Sequence, residues 1–209
     1  MILRSLPHSP YVRKVRVAAH EMGLAARLDC VEAHVFDPST PLLAENPLGK
    51  VPALVRDDGS VLYDSTVICQ YLDTLHAGPR LFPPEGEALW QTLRRNALGD
   101  GLGQAATWNI RERYRADGER SPRYQAYYER TIDRSFAVLE VEARALVTHF
   151  GIGEIAIASA ISYVDFRYPD RGWRKTAPKL GAWYDAVRER PSMRATELKP
   201  YKGPLEPPT

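Results

Sequence analysis

This 209-residue chain contains few cysteines, carries little net charge and has no long apolar run. The two cysteines, Cys30 and Cys69, are too few for a disulfide framework, so a reducing, cytoplasmic location is expected. The 28 basic and 26 acidic residues leave a net charge of +2, which creates no strong field for nucleic acid. No apolar run approaches the roughly 18 residues of a membrane span, and residues 1–14 contain no signal-peptide core. We therefore expect neither a nucleic-acid nor a membrane partner.

The histidines do not form a metal-binding motif. Their positions have no metal-ligand spacing, so no metal is expected; they are His8, His20, His34, His76 and His149.

The first 76 residues alternate between strand and helix patterns. Apolar runs bounded by turn residues predict strands, and a repeat of three to four residues predicts helices. A proline-rich stretch at 33–50 is typical of a loop. The predicted order β-α-β-loop-β-β-α uses residues 1–6, 12–22, 28–31, 33–50, 53–55, 61–63 and 65–75. This order predicts a small mixed α/β domain. The first strand, helix and strand are predicted to form a parallel βαβ unit, and the last two strands a hairpin through the Asp58-Gly59 turn.

The strand patterns stop after residue 76. Residues 77–86 contain three prolines and two glycines and are interpreted as a linker. The rest is predicted to be helical, apart from an extended proline-rich tail from Lys199. The predicted helices span residues 87–115, 122–149, 154–168 and 178–190, and Ser121-Pro122 and Ala177-Pro178 are start signals. The predicted domains are therefore 1–76, a linker at 77–86, and an all-α domain at 87–209.

Ser9 stands where the first strand meets the first helix. A serine before Pro10 is typically a helix N-cap. Alternatively, its hydroxyl can donate to an anion, because helix N-termini favour negative charge. The residues alone favour the cap.

Pro52 opens the third strand. Taken alone, a trans edge proline is the expected state, because few X-Pro bonds are cis. A cis bond would turn the backbone of Val51 outward, where it can pair with an extended peptide.

Asp64 and Ser65 begin the last helix of the first domain. Either one can be an N-cap. Alternatively, Ser65 receives a ligand carboxylate and Asp64 an ammonium group.

Taken together, these features resemble the glutathione S-transferase family. The first half contains SPYVRKVRVAAHEMGL, NPLGKVPAL and LYDSTVICQYL, and the second half contains IAIASAISYVDFRYP and GWRKTAPKLGAWYDAVRERPSMRAT. The likeness covers nearly the whole chain and is strongest to the serine-type bacterial and plant branches, with tau-like and omega-like members. It implies a thioredoxin-like first domain, an all-helical second domain, a homodimer, glutathione as co-substrate and a role in detoxification.

The resemblance also assigns roles to residues that match the family's motifs. Val51 matches the residue whose backbone pairs with the cysteinyl part of glutathione, and Pro52 matches the family's cis-proline. Asp64 and Ser65 match the acidic-Ser pair that holds the γ-glutamyl end. Lys50 matches a position near the glycyl carboxylate.

Ser9 matches the serine that hydrogen-bonds the glutathione sulfur. Glutaredoxins, which resemble this domain, carry Cys-Pro-Tyr-Cys where this chain has SPYV. A serine cannot form the mixed disulfide of dithiol exchange, but it can stabilise a bound thiolate. Cys30 and Cys69, expected to be buried and inert, do not replace the missing thiols.

The second substrate is expected to be a small hydrophobic electrophile. The resemblance implies that the start of the second domain lines the electrophile pocket. Candidate pocket residues are therefore Tyr11, Trp108 and Arg111, although helix packing is the simpler role for Trp108. His8 is not expected to act as a base, because sequence neighbours often point apart, and His34 is expected to be solvated.

One position departs from the family's pattern. Where relatives have Ser/Thr-x-x-Asp before the core helix, this chain has Gly151 and Glu154. Loss of the N-cap hydroxyl is expected to cost about 0.5–1 kcal/mol, although Glu154 can still reach back to the helix start.

The leading hypothesis is a cytosolic glutathione S-transferase that activates the glutathione thiol. Conjugation, dehalogenation and thioether cleavage all remain open. The alternatives are a non-catalytic glutathione-binding or regulatory protein and a glutathione-dependent thiol oxidoreductase.

Overall fold

The computed structural model describes residues 1–34, 36–37 and 39–201. They form two compact units: Met1–Leu89 with the segment from Pro191, and Trp90–Arg190. The domain bounds predicted from the sequence, 1–76 and 87–209, place the segment from Pro191 in the helical domain. These bounds stay a prediction. In the described part of the chain, no helix has the length and apolar character needed to cross a membrane.

A four-stranded mixed sheet forms the centre of the first unit. Its strands are β1 (Ile2–Ser5), β2 (Asp29–Glu32), β3 (Ala53–Val55) and β4 (Val61–Leu62), in the order β2-β1-β3-β4. β1 runs parallel to β2 and antiparallel to β3, which pairs antiparallel with β4. The predicted parallel βαβ unit and the predicted hairpin are both confirmed.

Three helices accompany the sheet: α1 (Pro10–Glu21), α2 (Leu42–Glu45) and α3 (Ser65–Asp73). α1 packs against α3, with fully buried side chains such as Val15 and Ile68. α2 is a single turn inside the predicted loop 33–50. Positions 35 and 38 of that loop lie outside the described residues, as does the predicted tail beyond position 201.

The second unit is helical, which confirms the predicted fold class of a mixed α/β domain followed by an all-α domain. Its helices are α4 (Gly86–Tyr114), α5 (Pro122–Glu142), α6 (Ile152–Arg167) and α7 (Pro178–Val187); α8 (Pro191–Arg194) belongs to the first unit. α5 ends before the predicted position 149, and a 3-10 turn, Ala143–Val147, continues it.

The second unit is built around α6. Every residue from Ile152 to Val164 is buried, so the helix is enclosed on all sides. α4 approaches it closely at Gly99, where an added Cβ would lie 2.6 Å from backbone atoms of Ala156 and Ile157. Only glycine permits this approach without displacing one helix.

The stretch predicted as a linker is tied to the first unit by Asp73. This carboxylate is buried and accepts hydrogen bonds from the N–H groups of Leu81 (3.0 Å) and Phe82 (3.1 Å). His76 Nε2 also lies 3.0 Å from Asp73 Oδ1. These contacts hold the chain in place between α3 and α4.

A charge network joins α4, α5 and the turn after α6. The Glu129 carboxylate contacts the guanidinium groups of Arg171 and Arg113 and the side-chain amide of Asn109. Burial raises the pKa of Glu129, but the hydrogen bonds from Arg171 and Asn109 more than offset this, so its pKa is lowered.

Glu129 is expected to make the free energy of unfolding depend on pH in the acidic range. Because its folded pKa lies below the unfolded value, its contribution is complete above the unfolded pKa and is lost as pH falls through the folded pKa. The melting-temperature difference between wild type and Glu129→Gln should therefore shrink as pH falls below the ordinary glutamate range. Thermal unfolding across a pH series measures this. The exposed Glu119→Gln serves as the control, and a constant difference between wild type and Glu129→Gln would contradict the prediction.

Candidate functional site

The strand register brings the candidate residues of the first unit to one edge of the sheet. Arg4 pairs with Ala53 in antiparallel register, so the residues just before β3 lie where β1 ends. β4 pairs antiparallel with β3, so the residues just after Leu62 lie at the same edge. α1 and α3 both begin there, and the positive ends of two helix dipoles therefore meet at this edge.

Ser9 is the N-cap of α1. Its Oγ accepts a hydrogen bond from the N–H of Val12 at 3.3 Å, and the residue is 8% exposed. A hydroxyl has two acceptor lone pairs and one hydrogen. The cap uses a lone pair and leaves the hydrogen able to donate, so the two interpretations of Ser9 are compatible.

The loop before β3 is shaped by Asn46. Its buried side chain donates to the carbonyl of Lys50 at 2.7 Å and accepts from the N–H of Leu48 at 3.1 Å. Lys50 itself is exposed, and Val51 is half-buried. The Val51–Pro52 peptide bond is cis, as the family resemblance implied, so the trans state expected from the residues alone is wrong.

Asp64 and Ser65 begin α3. Asp64 is exposed, and its Oδ1 caps the helix by accepting from the N–H of Thr66 at 2.9 Å. Ser65 is 2% exposed and lies in the first turn. Because one oxygen of Asp64 acts as the cap, its other oxygen can serve a ligand ammonium group.

Lys14 lies directly behind this helix start. It is 1% exposed, and its Nζ is 3.1 Å from the Thr66 hydroxyl. A buried lysine near the positive end of a helix increases the positive potential there. The arrangement favours an anion at the beginning of α3.

The three proposed electrophile-pocket residues lie on two different units. Tyr11 is half-buried in α1, whereas Trp108 and the exposed Arg111 belong to α4. Trp108 is 43% exposed and its ring meets that of Tyr128 at a centroid distance of 5.7 Å. Their joint role in a pocket stays a prediction.

One of the two cysteines differs from the sequence-based expectation. Cys69 is buried in α3, as expected, but Cys30 is exposed, so the expectation of burial is wrong there. β2 is an edge strand with three exposed residues among its four, which explains the exposure. Within the described ranges, no group of three or more His, Cys, Asp or Glu side chains is placed to hold a metal ion.

Comparison with known proteins identifies the family. The protein-family model described as "Glutathione S-transferase, N-terminal domain" matches residues 8–75. A second family model, "Glutathione S-transferase, C-terminal domain", matches residues 125–186. The chain belongs to the glutathione S-transferase family. Its small mixed sheet followed by a helical unit matches the fold of a glutathione transferase family structure.

Individual family members extend this comparison. A glutathione transferase family member from Pseudomonas fluorescens Pf-5, solved with bound glutathione, is 41% identical, with a TM-score of 0.89 over 100% of this chain and 99% of that one. A second structure from this organism, 41% identical, holds S-(propanoic acid)-glutathione and has a TM-score of 0.87 over 100% of both chains. The uncharacterized GST-like protein YibF of Escherichia coli K12 is 29% identical over 90% of this chain and 94% of its own length.

Sequence reasoning missed two residues of this candidate site. Lys14 lies in a helix whose apolar pattern gave no sign of a buried ammonium group. Asn46 lies in the stretch 33–50, which the sequence predicts only as a loop. An Asn-Pro pair before glycine was the available signal for Asn46, because such side chains often bond to backbone groups two or more residues ahead.

Proposed function

We propose that this chain is a glutathione transferase that activates the glutathione thiol for attack on a small hydrophobic electrophile. The observation that carries the proposal is the register that brings Ser9, Val51–Pro52 and Asp64–Ser65 to one edge of the sheet, where two helices begin. A tripeptide with a thiol and two carboxylates suits this edge, because hydroxyl and backbone N–H donors, the positive ends of two helix dipoles and the start of β3 lie there.

Each end of glutathione has a proposed partner. The γ-glutamyl carboxylate would meet the Ser65 hydroxyl and the first N–H groups of α3, and its ammonium group would meet Asp64. The backbone of Val51 would pair with the cysteinyl residue, beside Pro52. Lys50 would approach the glycyl carboxylate.

In the proposed reaction, the Ser9 hydroxyl donates a hydrogen bond to the glutathione sulfur. This favours the thiolate, and the thiol proton passes to solvent. The sulfur then attacks an electrophilic carbon. A sulfur–carbon bond forms, and in a displacement the leaving group departs with its electron pair. The S-(propanoic acid)-glutathione bound in the relative from P. fluorescens contains a sulfur–carbon bond of this kind.

Four further properties are part of the proposal. Tyr11, Trp108 and Arg111 would contact the electrophile, and the protein would act as a homodimer in the cytoplasm, with a role in detoxification. The two free cysteines agree with a reducing location. Sedimentation of the purified chain measures the dimer directly.

Binding of glutathione tests the proposal first. In calorimetric titration, Ser65→Ala is expected to raise the Kd about ten-fold, because it removes a buried hydroxyl donor to a carboxylate. Ser60→Ala is the control, since Ser60 is an exposed turn residue that bonds Asp58. An unchanged Kd for Ser65→Ala, or no glutathione binding by wild type, would overturn the site assignment.

The same protein is then tested with an aryl halide. Wild type is expected to conjugate it to glutathione. Binding of glutathione without turnover of any electrophile would favour the non-catalytic alternative. Disulfide reduction that survives Ser9→Ala would favour the oxidoreductase.

A further inference from the structure

The segment from residue 191 to 201, here called the C-terminal strap, runs along α1 towards the helix start. At the far end of α1, the Ser192 hydroxyl donates to Glu21. Arg13 and Arg16, on α1, donate to strap carbonyl groups at 2.9 Å and 3.2 Å. The strap finishes beside the turn between β1 and α1, where the N–H of Lys199 donates to the carbonyl of Pro7 at 3.1 Å.

The last described residue of the strap, Tyr201, connects two loops of the site edge. Its ring lies 4.7 Å from the His8 ring and 5.2 Å from the His34 ring, centroid to centroid. Its phenolic oxygen is hydrogen-bonded to Nδ1 of His34. Burial raises the pKa of Tyr201, so the phenol stays protonated at neutral pH.

One of these loops contains Ser9, and the other leaves the sheet beside the end of β1. His8 immediately precedes Ser9, and His34 follows β2, whose end pairs with the end of β1 through Ser5 and Glu32. The strap therefore holds the β1–α1 turn from outside the sheet, through one backbone hydrogen bond at Pro7 and one ring contact at His8. Within the turn itself, the Ser9 N–H also donates to the Leu6 carbonyl at 3.1 Å.

We propose that Tyr201 is a positioning residue for Ser9: by packing on His8 and bonding His34, it fixes the turn that aims the Ser9 hydroxyl at the glutathione sulfur. The proposal rests on the function proposed above for Ser9. Small displacements of a positioned group can cost orders of magnitude in rate, so support from surrounding residues matters. Tyr201 itself need not touch either substrate.

Point variants in the full-length chain test this. Tyr201→Ala removes both ring contacts and the hydrogen bond, and is expected to lower kcat about ten-fold, with the KM for glutathione changed less than about two-fold. The ultraviolet absorbance of the bound thiolate should show a raised pKa for the glutathione thiol. Tyr201→Phe keeps the ring and loses only the bond to His34, so its kcat should fall by about three-fold.

Tyr71→Ala is the matched control, because Tyr71 is a half-buried tyrosine of the same unit whose ring faces Arg56 at 5.2 Å. Its kcat and bound-thiol pKa should equal those of wild type. If Tyr201→Ala lowers only the melting temperature, or weakens glutathione binding with the thiol pKa unchanged, the positioning role is overturned. Should Tyr201→Ala not fold, wild-type kcat and thiol pKa in Tyr201→Phe would overturn it equally.

Ser9→Ala separates this proposal from the proposed function. If Ser9→Ala raises the bound-thiol pKa while Tyr201→Ala does not, only the role of Tyr201 fails. If Ser9→Ala leaves both turnover and thiol pKa unchanged, the function of Ser9 fails, and the role of Tyr201 fails with it.

Discussion

Ser9→Ala is expected to lower turnover of an aryl halide about 100-fold while the Kd for glutathione changes less than about two-fold. The hydroxyl is proposed to meet the sulfur only, so its loss should raise the pKa of the bound thiol and reduce the thiolate present at neutral pH. Steady-state kinetics and calorimetry on the same preparations measure the two quantities.

Ser121→Ala is the matched control for the loss of a helix N-cap that Ser9→Ala also causes. Ser121 also precedes a proline and caps a helix, since its Oγ accepts from the N–H of Tyr124 at 3.4 Å, much as Ser9 Oγ accepts from Val12 at 3.3 Å. Each alanine variant should lose about 1 kcal/mol of stability from the missing cap. Only Ser9→Ala should lose turnover, and equal turnover in both variants would contradict a catalytic role.

Glu154→Ala is expected to have the largest effect on stability, about 3 kcal/mol. Its side chain is 2% exposed; Oε1 accepts from Arg95 Nη1 at 2.9 Å, and Oε2 accepts from the N–H of Gly151 at 3.1 Å. Removing the carboxylate leaves the largely buried Arg95 guanidinium, whose side chain is 18% exposed, without its anion, and leaves the start of α6 without a cap. The melting temperature should fall by about 10 °C.

Glu142→Ala provides the comparison for an exposed pair. Glu142 receives two hydrogen bonds from Arg94, at 2.9 Å and 2.7 Å, but the two side chains are 22% and 47% exposed. Solvent screening limits such a pair to less than about 1 kcal/mol. Urea unfolding of both variants measures the difference, and similar losses would show that burial does not decide the strength of the Glu154 pair.

The start of α6 also resolves the departure from the family's pattern. Gly151 has no hydroxyl to act as a cap, and Glu154 reaches back to the Gly151 N–H, as the sequence suggested. The additional partner, Arg95, lies 59 residues earlier and has no local signal in the sequence. The stability cost estimated from the missing N-cap hydroxyl therefore leaves out the ion pair between Glu154 and Arg95, on which the start of α6 depends.

Local features of the sequence determined the order of the elements and the candidate residues. Proline after serine marked the starts of α1 and α5, an Asp-Gly turn marked the hairpin, and the apolar repeats marked the helices. These signals are readable because each acts over a few residues. The serine at position 9, where a dithiol enzyme needs cysteine, also argued against dithiol exchange from the sequence alone.

Tertiary structure alone decided which distant groups meet. It seated the C-terminal strap on α1, exposed Cys30 on an edge strand, and enclosed Lys14 beside Thr66. These outcomes depend on contacts between segments far apart in the chain, whose free energies appear only after packing, so no periodicity or short motif could reveal them.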